Sequence, residues 1–527
     1  MLHSAKGLNG CVTAPHAAAA LAGRDILARG GTAIEAMVAA AATIAVVYPH
    51  MNSIGGDGFW IIQKPGKPPV GISACGRAAE LATPDWYAGH GHIEMPTRGA
   101  HAALTVPGTI SGWAKALELV DGGGRLGLGD LLADAIAHAR DGMVVTRSQA
   151  AYTEAKMDRL KDVPGFAGVF MPNGTPPREN DILKQPALAN TFETLAREGL
   201  DAYYRGSIAK THAAFLKASG SPLRLPDLER FHADIVTPLS VELSVGTAFN
   251  MPPPTQGVSS LMILALFDRL KVAQAEGFDH LHGLIEATKQ SFIMRNAGLG
   301  DPDFMDPPAA DWLSDATIDG LHAKIDRQRA LAWPHEPKPG DTIWMGAADR
   351  DGTVVSFIQS VYWEFGSGLT CPDTGVFFQN RGAGFSLTPG PNQLGPFRRP
   401  FHTLNPALAQ LKDGRVMAYG TMGGEGQPQT QAAIFTRSAM FGQGLQAAIT
   451  APRWLLGRTW GDATTSLKLE DRFAPDLVAK LTASGHVVEM IEPFCDAAGH
   501  AGALVRHPSG VMEGASDPRA DGAAVTL

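Results

Sequence analysis

Cysteine is scarce: four residues in 527, at Cys11, Cys75, Cys371 and Cys495, with no CxxC pair among them. So thin and scattered a set excludes a disulfide framework and a paired-cysteine zinc site, and predicts reduced thiols in a cytoplasmic protein. Positive charge is short as well. Lys and Arg number 44 against 52 Asp and Glu, net -8, and no basic stripe occurs, so no nucleic-acid partner is expected. Long hydrophobic runs are missing. The most apolar stretch, Ala33–Tyr48, carries Glu35 near its start and falls short of the roughly 20 residues that a membrane span requires. The opening "MLHSAKGLNGCVTAPHAAAA" has no basic patch followed by an apolar block, so neither a secretory leader nor a membrane partner is expected. GxSxG and HExxH are also absent. The one GxGxxG match, "GGGRLG" at Gly122–Gly127, follows the helical run "WAKALELV" instead of a strand and reads as a helix–helix loop.

What is present describes a soluble protein with a large core: 45% hydrophobic and 18% charged residues over a length usual for several domains. The first half reads as helix-rich. Ala17–Ala28 and Ala33–Tyr48 are separated by "RGG", and Thr32 with Glu35 three residues on forms a capping box. "GGDGFWIIQKPGKPPVGISACG" gives two strands about a Pro/Gly turn. Further helices are expected at Gly112–Val120, Leu131–Ala139, Thr191–Glu198, Ser207–Ser219 and Gly257–Gln274. The second half turns to strands: Ile343–Ala348 and Thr353–Gln359 about the turn "DRDG", then "TGVFFQN" and "RVMAYG". The helix "QPQTQAAIFTRSAMFG" and the hairpin "HAGALVRHPSGVMEGASDP" follow. Strands running as hairpins among helices predict sheets stacked between helical layers.

Residues 332–341, "AWPHEPKPGD", form the segment most suited to be exposed, and a strand begins directly behind them on Thr342. Thr342 is then either an ordinary β-branched strand residue or an N-terminal nucleophile. A threonine hydroxyl needs a base. The α-amine of the same residue, with an ordinary pKa of about 7.7–8.0, serves once the Asp341–Thr342 bond is cut. "AYGTMGGEGQPQTQ" places Gly423 and Gly424 between a strand and a helix start. That is either a plain turn or a pair of backbone donors for an oxyanion.

"DTIWMGAADRDGTVVSFIQSVYWEFGSG" resembles the segment around the catalytic threonine of the γ-glutamyltranspeptidases. "GGTAIEAMVAAAATIAVVYPHMNSIGGDGFW", "TVPGTISGW", "PPPTQGVSSL", "TMGGEGQPQTQ", "APRW" and "EGASDPRADGAA" are similar to other blocks of that family, in its order and across essentially the whole chain. The resemblance implies an N-terminal-nucleophile hydrolase with an α+β fold, an αββα four-layer sandwich of two stacked sheets between helical layers. It further implies a proenzyme cut at Asp341–Thr342 into a large fragment (1–341) and a small one (342–527), interwoven as one unit. Thr342 would be the nucleophile, Gly423 and Gly424 the oxyanion donors, and Ser360 the hydroxyl that replaces the family's second threonine. No metal or organic cofactor is implied, and a homo-oligomer is compatible with the family.

The binding positions depart from that pattern. The family's "MDDFS" block, whose aspartate holds an α-amine, reads "RGAGFS" here, with Gly384 for the aspartate and Arg381 for a glutamine. Its serine pair reads His402–Thr403, an asparagine reads Tyr362, and the carboxylate-binding arginine aligns with Cys75, while Arg77 stands two residues on. The counter-charge for an ammonium group is gone and a guanidinium is new. Arg381, Arg77, His402 and Thr403 suit a carboxylate with no α-amine, and Tyr362 would shorten the pocket. "QNRGAGFS", "PFHTLNPALA" and "APRWLLGRTWG" are similar to the oxamate amidohydrolase branch. The expected reaction is therefore hydrolysis of oxamate to oxalate and ammonia. Hydrolysis or transfer of γ-glutamyl groups, glutathione included, is the alternative. An acylase for larger carboxylated amides and an uncut binding protein are the remaining rivals.

Overall fold

The structure is a computed structural model that describes residues 3–122, 124–335, 340–457 and 464–527, without the side chain of Asp341. Two seven-stranded antiparallel sheets lie between helices, the αββα arrangement expected. One sheet runs Ala523–Thr526, Gly10–Ala14, Asp341–Asp349, Val354–Tyr362, Asp57–Gln63, Val70–Ala74, Asp234–Val236. Strands from before and after residue 341 are interleaved in it, so neither part could complete the sheet alone. The other runs Ala5–Gly7, Met512–Ser516, Ala501–Arg506, Val416–Thr421, Ala407–Leu411, Gly246–Asn250, Leu239–Leu243.

Strand alternation sorts the core into three layers. Ile343, Met345 and Ala347 pack outward against the Ala33–Val47 helix. Trp344 and Ala348 face inward and meet Leu408, Ala418 and Leu504 of the second sheet, with Leu404 just ahead of it. Ala407, Ala409, Met417 and Tyr419 on that sheet's far side meet the helices Gly257–Leu270 and Gln427–Phe435. The Ala33–Val47 helix begins at the expected capping box, Thr32 N donating to Glu35 Oε2 at 2.8 Å. Every one of its residues is buried, which its alanine-rich sequence permits because small side chains allow close approach on all sides. Trp344 is the largest inward group. It donates to Ser356 Oγ at 3.0 Å, and a Cβ on Gly420 would lie 2.1 Å from its ring, so glycine is required beneath it.

Several expectations are corrected. "TGVFFQN" forms no strand. Phe377 makes a single bridge to Thr370, and the segment bends at Gly375 (φ +67°) to dock Gln379 N on Gly55 O at 2.9 Å. The helix Phe278–Gly298 and the strands Asp234–Val236, Leu239–Leu243 and Gly246–Asn250 are additional elements of the first half. That helix buries His282, Glu286 and Lys289, so its sequence lacks the apolar stripe that reveals a helix. The helix expected to reach Gln274 ends at Leu270, where Lys271 turns left-handed (φ +49°). "GGGRLG" lies between helices as read, with Gly123 outside the described residues. Residues 336–339 of the proline-rich segment lie outside them too. Of the rest, Pro334 and His335 are exposed, whereas Gly340 is buried.

Candidate active site

Thr342 stands at the start of the Asp341–Asp349 strand and is fully buried in the uncut chain. It has the parity of Trp344 and so belongs to the inter-sheet side. Asp341 pairs with Tyr362 but Ile343 with Gln359, so two residues, Ser360 and Val361, oppose Thr342 alone. This β-bulge widens the ladder at the candidate nucleophile. Ser360 also pairs with Asp57 on the next strand, which lines up Thr342, Ser360 and Asp57 across three adjacent strands. Ser360 Oγ accepts the Tyr362 N–H at 2.8 Å. Tyr362 itself sits at φ +84°, a conformation that costs a bulky residue about 1–3 kcal/mol.

From Tyr362 the contacts run in a ring. The Arg381 guanidinium lies over the Tyr362 ring, 3.6 Å from its centroid, and Arg381 Nη2 donates to Thr403 Oγ1 at 3.1 Å. Gln256 Nε2 donates both to Thr403 O (2.9 Å) and to Gly424 O (2.8 Å). Gly424 lies against Gly340: a Cβ on Gly424 would be 2.9 Å from both N and O of Gly340. A Cβ on Gly340, two residues before Thr342, would lie 3.2 Å from the Tyr362 ring. The circle thus closes around the Asp341–Thr342 bond. Gly423 (φ 122°) and Gly424 (φ 50°) make a turn that only glycine adopts without strain, and it leads through a short 3₁₀ turn into the Gln427–Phe435 helix.

Arg381 is completely buried. Its Nη1 donates to Phe401 O at 3.3 Å, while Nε has no hydrogen-bond partner among the described residues. Burial lowers its pKa to about 10, still a cation at neutral pH. Beneath it His402 Nε2 meets Asp57 Oδ2 at 3.0 Å. Asp57 Oδ1 accepts Gly76 N (2.9 Å), Gly108 N (3.1 Å) and Gln379 Nε2 (2.9 Å). Burial pushes the Asp57 carboxyl up to about 7 despite those donors, because desolvation penalises the anion. Burial and then the Arg381 charge hold His402 far below its ordinary pKa. The pair is therefore a hydrogen bond to a neutral imidazole. Cys75, Asp57 and His402 each bring one donor atom within 4.8 Å of the others.

The structure brings together Thr342, Ser360, Tyr362, Arg381, His402, Thr403, Gly423 and Gly424. It does not bring Arg77. The chain leaves its strand at Ala74, strand alternation ends, and Arg77 turns outward: its guanidinium is 3.6 Å from Asp234 and donates to Phe397 O at 3.3 Å. There it lines a separate cavity of about 440 Å³ with Arg230, His232 and Phe397. Gly384, at the position of the lost aspartate, leaves no carboxylate, and the nearby Asp57 has its oxygens taken. Sequence reasoning missed Asp57, within "GGDGFW", and Gln256, within "PPPTQGVSSL". Both lie inside blocks recognised as a whole, and only the fold shows which member carries the polar contact. Arg295 fixes Gln256 from behind, donating to its Oε1 (2.9 Å) and to Glu425 Oε2 (2.6 Å).

The family model described as gamma-glutamyltranspeptidase matches residues 19–527. An oxamate amidohydrolase proenzyme of Klebsiella pneumoniae is 51% identical over 99% of both chains. A glutathione hydrolase-like proenzyme of Bacillus subtilis is 38% identical over the full length of both. Among solved structures, a cephalosporin acylase from Bacillus halodurans superposes with a TM-score of 0.92 at 32% identity, covering 100% of this chain and 97% of its own.

Proposed function

The chain belongs to the γ-glutamyltranspeptidase family, and from that premise we propose that it is a self-processing amidohydrolase for a small carboxylated amide, oxamate foremost. Arg381 carries the substrate reading. A fully buried guanidinium, its Nε without a hydrogen-bond partner among the described residues, packs over Tyr362, which pairs with Asp341, and a cation held out of water binds a carboxylate more strongly than one at a surface. The name of the 51% identical relative points to the same substrate. Reduced, mostly buried cysteines accord with a cytoplasmic enzyme.

In the first stage Thr342 Oγ attacks the Asp341 carbonyl. The peptide nitrogen leaves as the new α-amine, and water releases residues 1–341 from 342–527. The interleaving of strands from both parts in one sheet supports fragments that stay together. In the second stage the substrate carboxylate lies on Arg381 with Thr403 and His402 alongside, and the α-amine takes the hydroxyl proton as Oγ attacks the amide carbon. Gly423 and Gly424 N–H groups hold the oxyanion, a contribution of roughly 3–4 kcal/mol per donor, and Ser360 orients the nucleophile. Ammonia departs with the proton, and water then splits the acyl-threonine ester to release oxalate and restore Oγ–H.

Ammonia release from oxamate, with none of the chromophore freed from γ-glutamyl-p-nitroanilide, is the expected result; the reverse preference overturns it. The 38% identical glutathione hydrolase-like relative favours a second reading, γ-glutamyl hydrolysis, which the same comparison decides.

A further inference from the structure

Away from the active site, the Phe278–Gly298 helix buries His282 and Glu286 one turn apart, opposite His486. One donor atom from each lies within 4.8 Å of the others. We propose that His282 Nδ1, His486 Nε2 and a Glu286 carboxylate oxygen form a binding site for a borderline divalent cation of the Zn²⁺ class, joining the two parts of the chain. His282 and Glu286 precede residue 341 and His486 follows it, so the joining role, though not the metal binding, rests on the cleavage proposed above.

The proton inventory prepares the ligands. His282 Nε2 lies 2.8 Å from Asp326 O. A carbonyl can only accept, so Nε2 carries the hydrogen and Nδ1 presents its lone pair. A backbone carbonyl on the far nitrogen is the usual support of a metal-bound imidazole. That lone pair faces His486 Nε2 at 2.9 Å, so His486 is the donor between them. Its other nitrogen, Nδ1, is buried with no partner among the described residues. When a metal enters, the proton moves from Nε2 to Nδ1 of His486, and no existing Nδ1 bond is lost.

Glu286 is held as a ligating carboxylate would be. Oε1 accepts Lys289 Nζ (2.7 Å) and Oε2 accepts Leu331 N (3.1 Å), and each oxygen keeps a second lone pair. Tetrahedral nitrogen ligands stand about 3.3 Å apart, given bonds near 2.0–2.1 Å, so the rings need part by only a few tenths of an ångström. The Lys289 ammonium opposes every dication alike, and the two imidazoles select a borderline ion over a hard, oxygen-seeking one. The surrounding backbone ties the same place together: Ala330 N donates to Ser484 O at 2.8 Å and Lys289 Nζ to Leu331 O at 2.6 Å.

The purified full-length protein, stripped by a chelator and then given Zn²⁺ and dialysed, is expected to retain about one equivalent. Co²⁺ in its place should show the intense visible bands of a tetrahedral site. Retention should fall at least tenfold in His486→Gln and in Glu286→Gln, and persist in His92→Ala, which removes one of the half-buried histidines paired at His92 and His101. No retention by the unaltered protein, or retention lost with His92→Ala and kept in His486→Gln, overturns the site. Denaturing gels of the same samples report cleavage at Thr342 independently. A protein that binds metal but stays one chain refutes the joining role and the processing alone.

Discussion

The guanidinium of Arg381 lies over the ring of Tyr362, 3.6 Å from its centroid. This single contact links the proposed anion-binding group to the strand that faces the Asp341–Thr342 bond. Tyr362 keeps its left-handed backbone because Ser360 Oγ holds its N–H, Asp341 pairs with it across the ladder and Arg381 covers its face. An arginine stacked on an aromatic ring gains about 0.5–2 kcal/mol and is fixed in direction.

Arg381→Lys keeps the charge but loses the planar fork and the stacking. The KM for oxamate should rise about 10–100-fold, the equivalent of one charge-assisted hydrogen bond. Self-cleavage should persist, as read by two bands on a denaturing gel. An unchanged KM removes Arg381 from the carboxylate site.

Tyr362→Gly relieves the positive φ, a gain of about 1 kcal/mol, and withdraws the ring from Arg381. Oxamate turnover should fall while longer carboxylated amides, such as glutaryl amides, become substrates. Competition kinetics between the two amides measure the switch.

Thr342→Ala removes the attacking hydroxyl from both stages. A single band near 55.5 kDa and complete loss of ammonia release are expected. In the unaltered protein, N-terminal sequencing of the smaller fragment should begin Thr-Ile-Trp.

Asp57 gives a pH dependence of definite sign. Burial raises its pKa from 3.8 to about 7, so between those values the folded chain holds a proton that the unfolded chain has lost. Its contribution to stability is greatest below the lower value and declines as pH rises to about 7, by roughly a few kcal/mol in all. Above pH 7 the carboxylate also opposes a substrate anion on Arg381, so KM should climb there. Asp57→Asn should flatten both profiles, as read by denaturant midpoints and KM across the range.

Asp517 tests the frame away from the chemistry. Burial alone would raise its pKa, yet Arg453 (2.6 Å) and Arg519 (3.0 Å) hold it below the ordinary carboxylate value. Asp517→Ala leaves two buried guanidinium groups short of their partner and should cost about 3–5 kcal/mol, measured by urea unfolding. The native aspartate's contribution is present above its ordinary pKa and is lost as pH falls through the lowered one.

The Thr342 hairpin was legible because its signals are local: "DRDG" for the turn, alternation for the strands, a glycine pair before a helix. The Ala33–Val47 helix announced itself through a capping box. The Asp57–His402 pair joins residues 345 positions apart, and no local pattern encodes it. Arg77 misled because alignment places a residue along the chain, whereas the direction of its side chain is set where the strand ends. The Phe278–Gly298 helix stayed hidden because it buries charge, which only the Glu286–Lys289 and His282–His486 partnerships make tolerable.

In the self-cleavage proposed above, the close approach of Gly340 to Gly424 makes maturation a matter of time and not of encounter. On that proposal each new chain carries its first substrate already seated, and dilution would not slow the onset of activity. A freshly folded population should awaken along one exponential, with the same half-life at nanomolar and micromolar protein, its clock started by the closing of the sheet.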